Sequence, residues 1–141
     1  MSILNKMNLR FSAISENESF ARLAVASFCS NSNLTIEDIT DIKTAVSEGV
    51  TNSIVHGYAE SSGDVEINVE IYDDKIHIEI IDFGVGIEDV EKAKKPFYTS
   101  KPESERSGMG FTVMEGFMDE MIVESNKDEG TKVTLIKKIS K

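Results

Sequence analysis

Two adjacent stretches of alternating residues constrain the fold of this chain more than any other feature. Residues 65–71 and 76–80 each carry Val or Ile at every second position, and Asp73 and Asp74 lie between them. Successive side chains of a strand point to opposite faces, so the pattern predicts two strands with one buried face, joined as a hairpin. Ile81 interrupts the alternation just before the aspartate at position 82, which indicates that this strand end is covered on both faces.

The segments before the hairpin predict one more strand and two helices. Residues 7–11 alternate as a short strand, and Ser15 with Glu18 forms a capping-box pattern that predicts the start of a helix. Thr35 is a typical cap for a second, longer helix that runs to about position 56, and Gly57 is a typical stop. The first helix carries four apolar residues on one side: Phe20, Leu23, Ala24 and Phe28.

The segments after the hairpin predict a long loop, a helix and two strands. Residues 94–107 have no firm period and read as a surface loop of the length that often forms a lid. A helix over 109–119 follows, and strands over 121–124 and 131–135 close the chain around a turn at 126–130. The prediction is an α+β fold in one domain, residues 1–141: a two-layer sandwich of a mostly antiparallel, mixed sheet with helices on one face.

Composition excludes several classes of protein. The 141 residues carry a formal net charge of −10, which disfavours binding to nucleic acid or to an anionic membrane, and is compatible with a basic protein partner. The single cysteine, Cys29, excludes a disulfide framework and reads as a small buried hydrophobe in a reduced, cytoplasmic protein. No signal peptide or membrane-spanning run is expected.

A row of polar residues lies along the second predicted helix. Glu48, Asn52 and His56 are four apart and lie on one face, away from the apolar stripe. An amide oxygen such as that of Asn52 is a ligand for Mg²⁺, and a carboxylate such as that of Glu48 can take a proton from a hydroxyl. The alternative for Glu48 and Asn52 is that they lie on a solvated outer face, and the alternative for His56 is a structural histidine. The apolar stripe consists of Ile39, Ile42, Val46, Val50 and Ile54.

Two glycine-containing segments complete a candidate nucleotide site. Asp82 directly follows a strand and precedes Gly84 and Gly86, so its carboxylate can accept a hydrogen bond from an exocyclic amine; a simple tight turn is the alternative. Gly108 and Gly110 precede a helix, and the free N–H groups at its start can receive phosphate. The alternative is that these glycines belong to an ordinary loop. The cations nearest this segment, which can close over phosphates, are Lys101 and Arg106.

These three segments, in this order, resemble the N, G1 and G2 boxes of the superfamily that joins gyrase B, Hsp90, histidine kinases and mismatch-repair ATPases. The chain lacks the extra domains of the large members, and therefore resembles the stand-alone branch, the anti-sigma-factor serine kinases. Residues 15–22, 105–115 and 117–120 are similar to the anti-sigma-F members of that branch in endospore-forming bacteria. The resemblance implies a Bergerat-type ATP-binding fold.

The resemblance also implies a role for each matching residue. Glu48 would be the catalytic base and Asn52 the Mg²⁺ ligand, while Arg22 would contact a partner. The residues on the adenine side would be Asp82, Gly84, Gly86 and Thr131. On the phosphate side, Arg106 would be the lid arginine, and Gly108 and Gly110 would form the phosphate loop. Lys101 and Ser107, which lie in the same segment, complete the candidate phosphate side.

The function implied by the resemblance has two parts. The protein would bind sigma-F and keep it from RNA polymerase, and it would phosphorylate a serine of an anti-anti-sigma factor with ATP and Mg²⁺ in sporulation control. It would form a homodimer through the strand at residues 7–11. Two alternatives are a kinase of a stress-response sigma factor with the same chemistry, and a non-catalytic module whose partner binding depends on nucleotide.

Overall fold

A computed structural model describes residues 2–59, 61–95 and 110–139. Its centre is a five-stranded sheet in the order β1-β2-β3-β5-β4, and all four neighbouring pairs are antiparallel. The predicted hairpin is present, and the described sheet is antiparallel throughout, without the parallel pair that a mixed sheet would contain. The strands are β1 (Asn5–Ser12), β2 (Asp64–Ile71), β3 (Lys75–Asp82), β4 (Glu120–Asn126) and β5 (Gly130–Lys138).

Helices cover one face of this sheet. The two long helices contact each other, and the last helix packs against the second. The predicted α+β sandwich is therefore confirmed. The helices are α1 (Glu16–Cys29), α2 (Ile36–Asn52), the short α3 (Val90–Ala93), which was not predicted, and α4 (Gly110–Phe117); a π-helical turn, Ser53–Gly57, follows α2.

The core lies between the sheet and the helices, as the alternation in β2 and β3 predicts. Every second residue of both strands is buried, and the opposite face carries partly exposed polar groups such as Asn68 and Glu79. The apolar stripe of α2 is also confirmed, since its central members are fully buried and Ile39 and Ile54 pack against them. Thr35 and Asp38 form a capping box at the start of α2. The Asp38 carboxylate accepts a hydrogen bond from the Thr35 N–H at 3.3 Å, and the Thr35 hydroxyl accepts one from the Asp38 N–H.

One expectation for α1 is wrong. Ser15 has helical backbone angles and no side-chain cap, because the N–H of Glu18 bonds to the Ser15 carbonyl at 3.2 Å instead. The expected capping box is therefore absent. Of the four apolar residues that share one side of α1, Phe20 and Leu23 are exposed, whereas Phe28 packs against the core. The buried residues of α1 are Ala21, Val25, Ala26 and Cys29.

Cys29 is fully buried, in agreement with the prediction of a small core residue. Burial raises the pKa of its thiol to about 12, so the thiolate is scarce at neutral pH. Among the described residues, none of the helices has the length and apolar character needed to cross a membrane.

Candidate nucleotide-binding site

The α-helical part of α2 ends at Asn52, and the chain continues as a π-helical turn. The Tyr58 N–H donates to the Ser53 carbonyl, five residues earlier, at 3.0 Å. Single π turns of this kind are frequent at functional sites. Ser53 begins this turn and His56 lies within it. Ser53 is 4% exposed, and its side chain bonds to the Asp82 carboxylate at the end of β3.

Asp82 is the last residue of β3 and lies opposite Thr131 of β5 in the sheet register. Only 4% of the residue is exposed. Its carboxylate accepts hydrogen bonds from the Gly84 N–H at 3.0 Å, from the Ser53 hydroxyl and from the Thr131 N–H. Burial raises the pKa of Asp82, and these three donors oppose the rise by stabilising the charged form. Asp82 and Thr131, which the resemblance placed together, are direct neighbours.

The glycines after Asp82 are required by close packing within the chain. A Cβ atom on Gly84 would collide with the backbone carbonyl of Gly57, and the Val85 N–H donates to that same carbonyl at 2.9 Å. Gly86 has a φ of 74°, in the region that favours glycine, and faces the backbone of Asn126. The segment is thus folded tightly against the end of the π turn, which holds Asp82 at the rim of the sheet.

Asn52 lies beside the start of α4. A Cβ atom on Gly110 would come within 3.0 Å of the Asn52 Oδ1, so a glycine leaves room for the amide at this helix N-terminus. The predicted phosphate glycine and the predicted metal ligand are therefore in contact. Glu48, one turn earlier on α2, is partly buried and makes a polar interaction, but it is not among the described residues that line the adjoining cavity.

A cavity of about 930 Å³ connects these groups. Its polar lining includes an amide, a hydroxyl and a carboxylate, and Val85, Ile87 and Phe111 supply apolar surface. A cavity of this size, with apolar walls and few convergent polar groups, is typical of a small-molecule site. The predicted residues that line it are Asn52, Asp82, Gly86, Gly110 and Thr131.

Other predicted site residues lie elsewhere. Arg22 is on α1 and is not part of the described cavity lining; its guanidinium contacts the Glu18 carboxylate at 3.6 Å and the Ser19 hydroxyl at 3.0 Å. The four predicted phosphate-side residues Lys101, Arg106, Ser107 and Gly108 lie outside the described residues, as does most of the loop predicted over 94–107.

Sequence reasoning missed several residues of the site. Ser53 lies three residues after Val50, so a polar residue at the end of an apolar stripe was the available signal. His56, interpreted as structural, lines the cavity, and so does Lys92 of α3. Tyr58 is 7% exposed, and its hydroxyl contacts the backbone next to Asp82.

The groups that line this cavity are suited to a nucleotide with its Mg²⁺ ion. No group of three or more His, Cys, Asp or Glu suited to a metal occurs among the described residues. Mg²⁺ at nucleotide sites is commonly held by one or two protein oxygens together with phosphates and water. The Asn52 amide oxygen meets that requirement, and the N-terminus of α4 beside it supplies backbone N–H groups suited to an anion.

The fold and the cavity define a class of nucleotide-binding protein, and comparison with known proteins agrees. Residues 11–137 match the histidine kinase-like ATPase domain family. The chain is 57% identical over 137 residues to the anti-sigma F factor of Clostridium botulinum (strain Eklund 17B), covering 96% of each chain. It is 56% identical over 138 residues to the anti-sigma F factor of Geobacillus kaustophilus, covering 97% of this chain and 94% of the relative.

The chain therefore belongs to the family of anti-sigma F factors, within the histidine kinase-like ATPase domains. A solved structure shares the fold at 20% identity: the RsbU and RsbW domains of Rv1364c from Mycobacterium tuberculosis, with a TM-score of 0.69. The match covers 97% of this chain and 33% of that chain. The histidine kinase-like ATPase fold, expected from the resemblance of the three sequence boxes, is confirmed.

Proposed function

We propose that this protein is an ATP-dependent serine kinase that also sequesters a sigma factor. The observation that carries the proposal is the cavity itself. A buried carboxylate, that of Asp82, shares it with the Asn52 amide and the N-terminus of α4. A base-reading acceptor and a phosphate-side anion site in one cavity are what a nucleotide requires.

Each predicted site residue has a defined task in this proposal. Asp82 accepts a hydrogen bond from the adenine amine, and Thr131 holds the carboxylate with its N–H. Asn52 holds Mg²⁺, which offsets phosphate charge when bound, and Gly110 begins the helix that receives phosphate. These cationic contributions matter because the whole chain carries a net charge of −10. The predicted lid residues Lys101 and Arg106 would add to them.

Glu48 is assigned the role of general base. As a carboxylate one helical turn from Asn52, it would take the proton from the serine hydroxyl of a separate protein while the terminal phosphate is transferred. We assign the acceptor serine to an anti-anti-sigma factor, as the resemblance to the anti-sigma-factor kinases implies.

The partner assignment rests on the relatives. Curated proteins more than half identical to this chain carry the name anti-sigma F factor, which favours sigma-F over a stress-response sigma factor. We place the activity in the cytoplasm, with sporulation control as its setting. Arg22 on α1 would contact a partner, and β1, at the edge of the described sheet, would form the homodimer.

One observation favours the second candidate, a non-catalytic module whose partner binding depends on nucleotide. Glu48 is not among the described residues that line the cavity. A pure binding module needs no base at this position, so the role of Glu48 separates the two candidates.

The experiment compares Glu48→Gln with the unmodified protein and with a matched control, Glu37→Gln, which changes an exposed glutamate on the same helix. Transfer of labelled phosphate from Mg-ATP to a purified anti-anti-sigma factor is measured beside ATP affinity. We expect Glu48→Gln to keep ATP binding and to lose about 10²–10⁴-fold in transfer rate. Transfer at the unmodified rate would refute the base assignment. No transfer by the unmodified protein, with ATP bound, would support the non-catalytic module.

A further inference from the structure

The β2–β3 ladder is interrupted by a side chain next to Asp82. Val65 pairs with Asp82 in the antiparallel register, so the next pair would be Asp64 with Phe83. Their backbone groups do not bond directly. The Tyr58 hydroxyl lies between them, donating to the Asp64 carbonyl at 2.7 Å and accepting from the Phe83 N–H at 2.7 Å. A phenol thus substitutes for the missing rung at the point where β3 leaves the sheet.

The tyrosine is held firmly in this position. It is 7% exposed, and burial raises the pKa of its hydroxyl, which stays a neutral donor and acceptor at physiological pH. Its ring packs on Gly63, where a Cβ atom would come within 2.5 Å of Cε1. The neighbouring Gly57 carbonyl accepts from the Val85 N–H at 2.9 Å. Gly57 and Tyr58 therefore bond to the backbone N–H groups of the residues on either side of Gly84.

This arrangement fixes the direction of the Asp82 carboxylate. The Phe83 N–H belongs to the same peptide unit as the Asp82 carbonyl, so the hydroxyl restrains that peptide plane. Without the restraint, β3 could either continue along β2 or leave it at another angle. Each change would move the carboxylate relative to Ser53 and Thr131, which donate hydrogen bonds to it.

We propose that Tyr58 is a positioning residue that sets base discrimination through Asp82. The inference rests on the proposed function, because it assumes that Asp82 reads a base amine. It adds that the selectivity for adenine depends on a hydroxyl that lies outside the cavity lining among the described residues.

The test is Tyr58→Phe, which removes the hydroxyl and keeps the ring. Tyr72→Phe is the matched control, because its hydroxyl bonds to the Glu70 side chain, at 3.0 Å, near the far end of β2. Affinities for Mg-ATP and Mg-ITP are measured by calorimetry; inosine carries an oxygen in place of the adenine amine. Loss of a bridging hydroxyl leaves two backbone groups unpaired. We expect ATP affinity to fall roughly five- to twenty-fold, with ITP affinity little changed.

The ratio of the two affinities separates positioning from mere destabilisation. An equal loss for ATP and ITP, or no loss, would overturn the inference while leaving the nucleotide site intact. Failure of the unmodified protein to bind ATP, or to prefer it over ITP, would instead overturn the proposed function and the inference with it. Tyr72→Phe should keep both affinities.

A second measurement uses the unmodified protein and does not depend on the folding of a variant. Phe83 is 54% exposed, yet its N–H is bonded to the buried hydroxyl. Amide exchange followed by NMR should show Phe83 protected in the absence of nucleotide. Rapid exchange at Phe83 would show that the hydroxyl does not hold this peptide unit and would overturn the inference.

Discussion

Replacing Asp82 with asparagine tests the base-reading carboxylate most directly. The residue is nearly fully buried and accepts hydrogen bonds from three donors of the protein. Little water is therefore available to replace a hydrogen bond that the substitution removes. An asparagine presents one acceptor oxygen and an NH₂ group that would face another donor. A hydrogen bond to a charged group contributes about 1.5–3 kcal/mol. Asp82→Asn should therefore weaken Mg-ATP binding by roughly 10- to 150-fold.

The same substitution should change the free energy of unfolding at neutral pH only modestly, because two effects oppose each other. One donor loses its acceptor, which costs about 1–3 kcal/mol, while removal of the buried charge relieves the desolvation that raises the pKa. We expect a net change in the free energy of unfolding below about 2 kcal/mol. A large loss of ATP affinity in a well-folded variant then identifies the effect as one of recognition.

The assay is titration calorimetry with Mg-ATP, accompanied by urea unfolding. Asp74→Asn is the control, because Asp74 is an exposed carboxylate in the β2–β3 turn at the other end of β3. Control and unmodified protein should bind equally. If Asp82→Asn binds Mg-ATP as tightly as the unmodified protein, the carboxylate does not read the base, and the assignment of this end of the cavity is wrong.

Four further outcomes are expected. The free energy of unfolding of the unmodified protein, compared with that of Asp82→Asn, should fall as the pH rises from about 4 through the raised pKa of Asp82, and should fall no further above it. The reason is that the folded state binds one more proton than the unfolded state within this pH range. A difference in urea unfolding that does not change with pH would contradict this. Asn52→Ala should reduce the Mg²⁺ dependence of ATP affinity, and an unaltered metal response in calorimetry would exclude the ligand role. Lys137→Met should destabilise the fold by about 1.5–3 kcal/mol in urea unfolding, because the buried ammonium contacts the Asp41 carboxylate at 3.2 Å and a carbonyl at the end of α4 at 2.7 Å; equal stability would show that this pair contributes nothing. Cys29 should resist alkylation at pH 8 in the native state and react after unfolding, whereas rapid native labelling would contradict its burial.

Local patterns predicted most of the fold, because they reflect burial that is repeated along the chain. The hairpin of β2 and β3 and the stripe on α2 each contain several residues that support one orientation. The apolar pattern was less informative for α1, where Phe20 and Leu23 are exposed and small residues such as Ala21 are fully buried. Apolar size alone does not identify the buried side of this helix, because a close-packed core also contains small residues.

The sequence by itself determined the sandwich and the order of the candidate site segments. Alternation fixed which strand faces are buried, and the position of Asp82 after a strand placed the carboxylate at a strand end. Only the tertiary structure decided what surrounds it. Thr131 is opposite Asp82 because β5 pairs with β3. Ser53, at the start of the π turn, bonds to the Asp82 carboxylate, and Tyr58, directly after the turn, bonds to the Phe83 N–H. These contacts join residues far apart in the chain, and no local period records them.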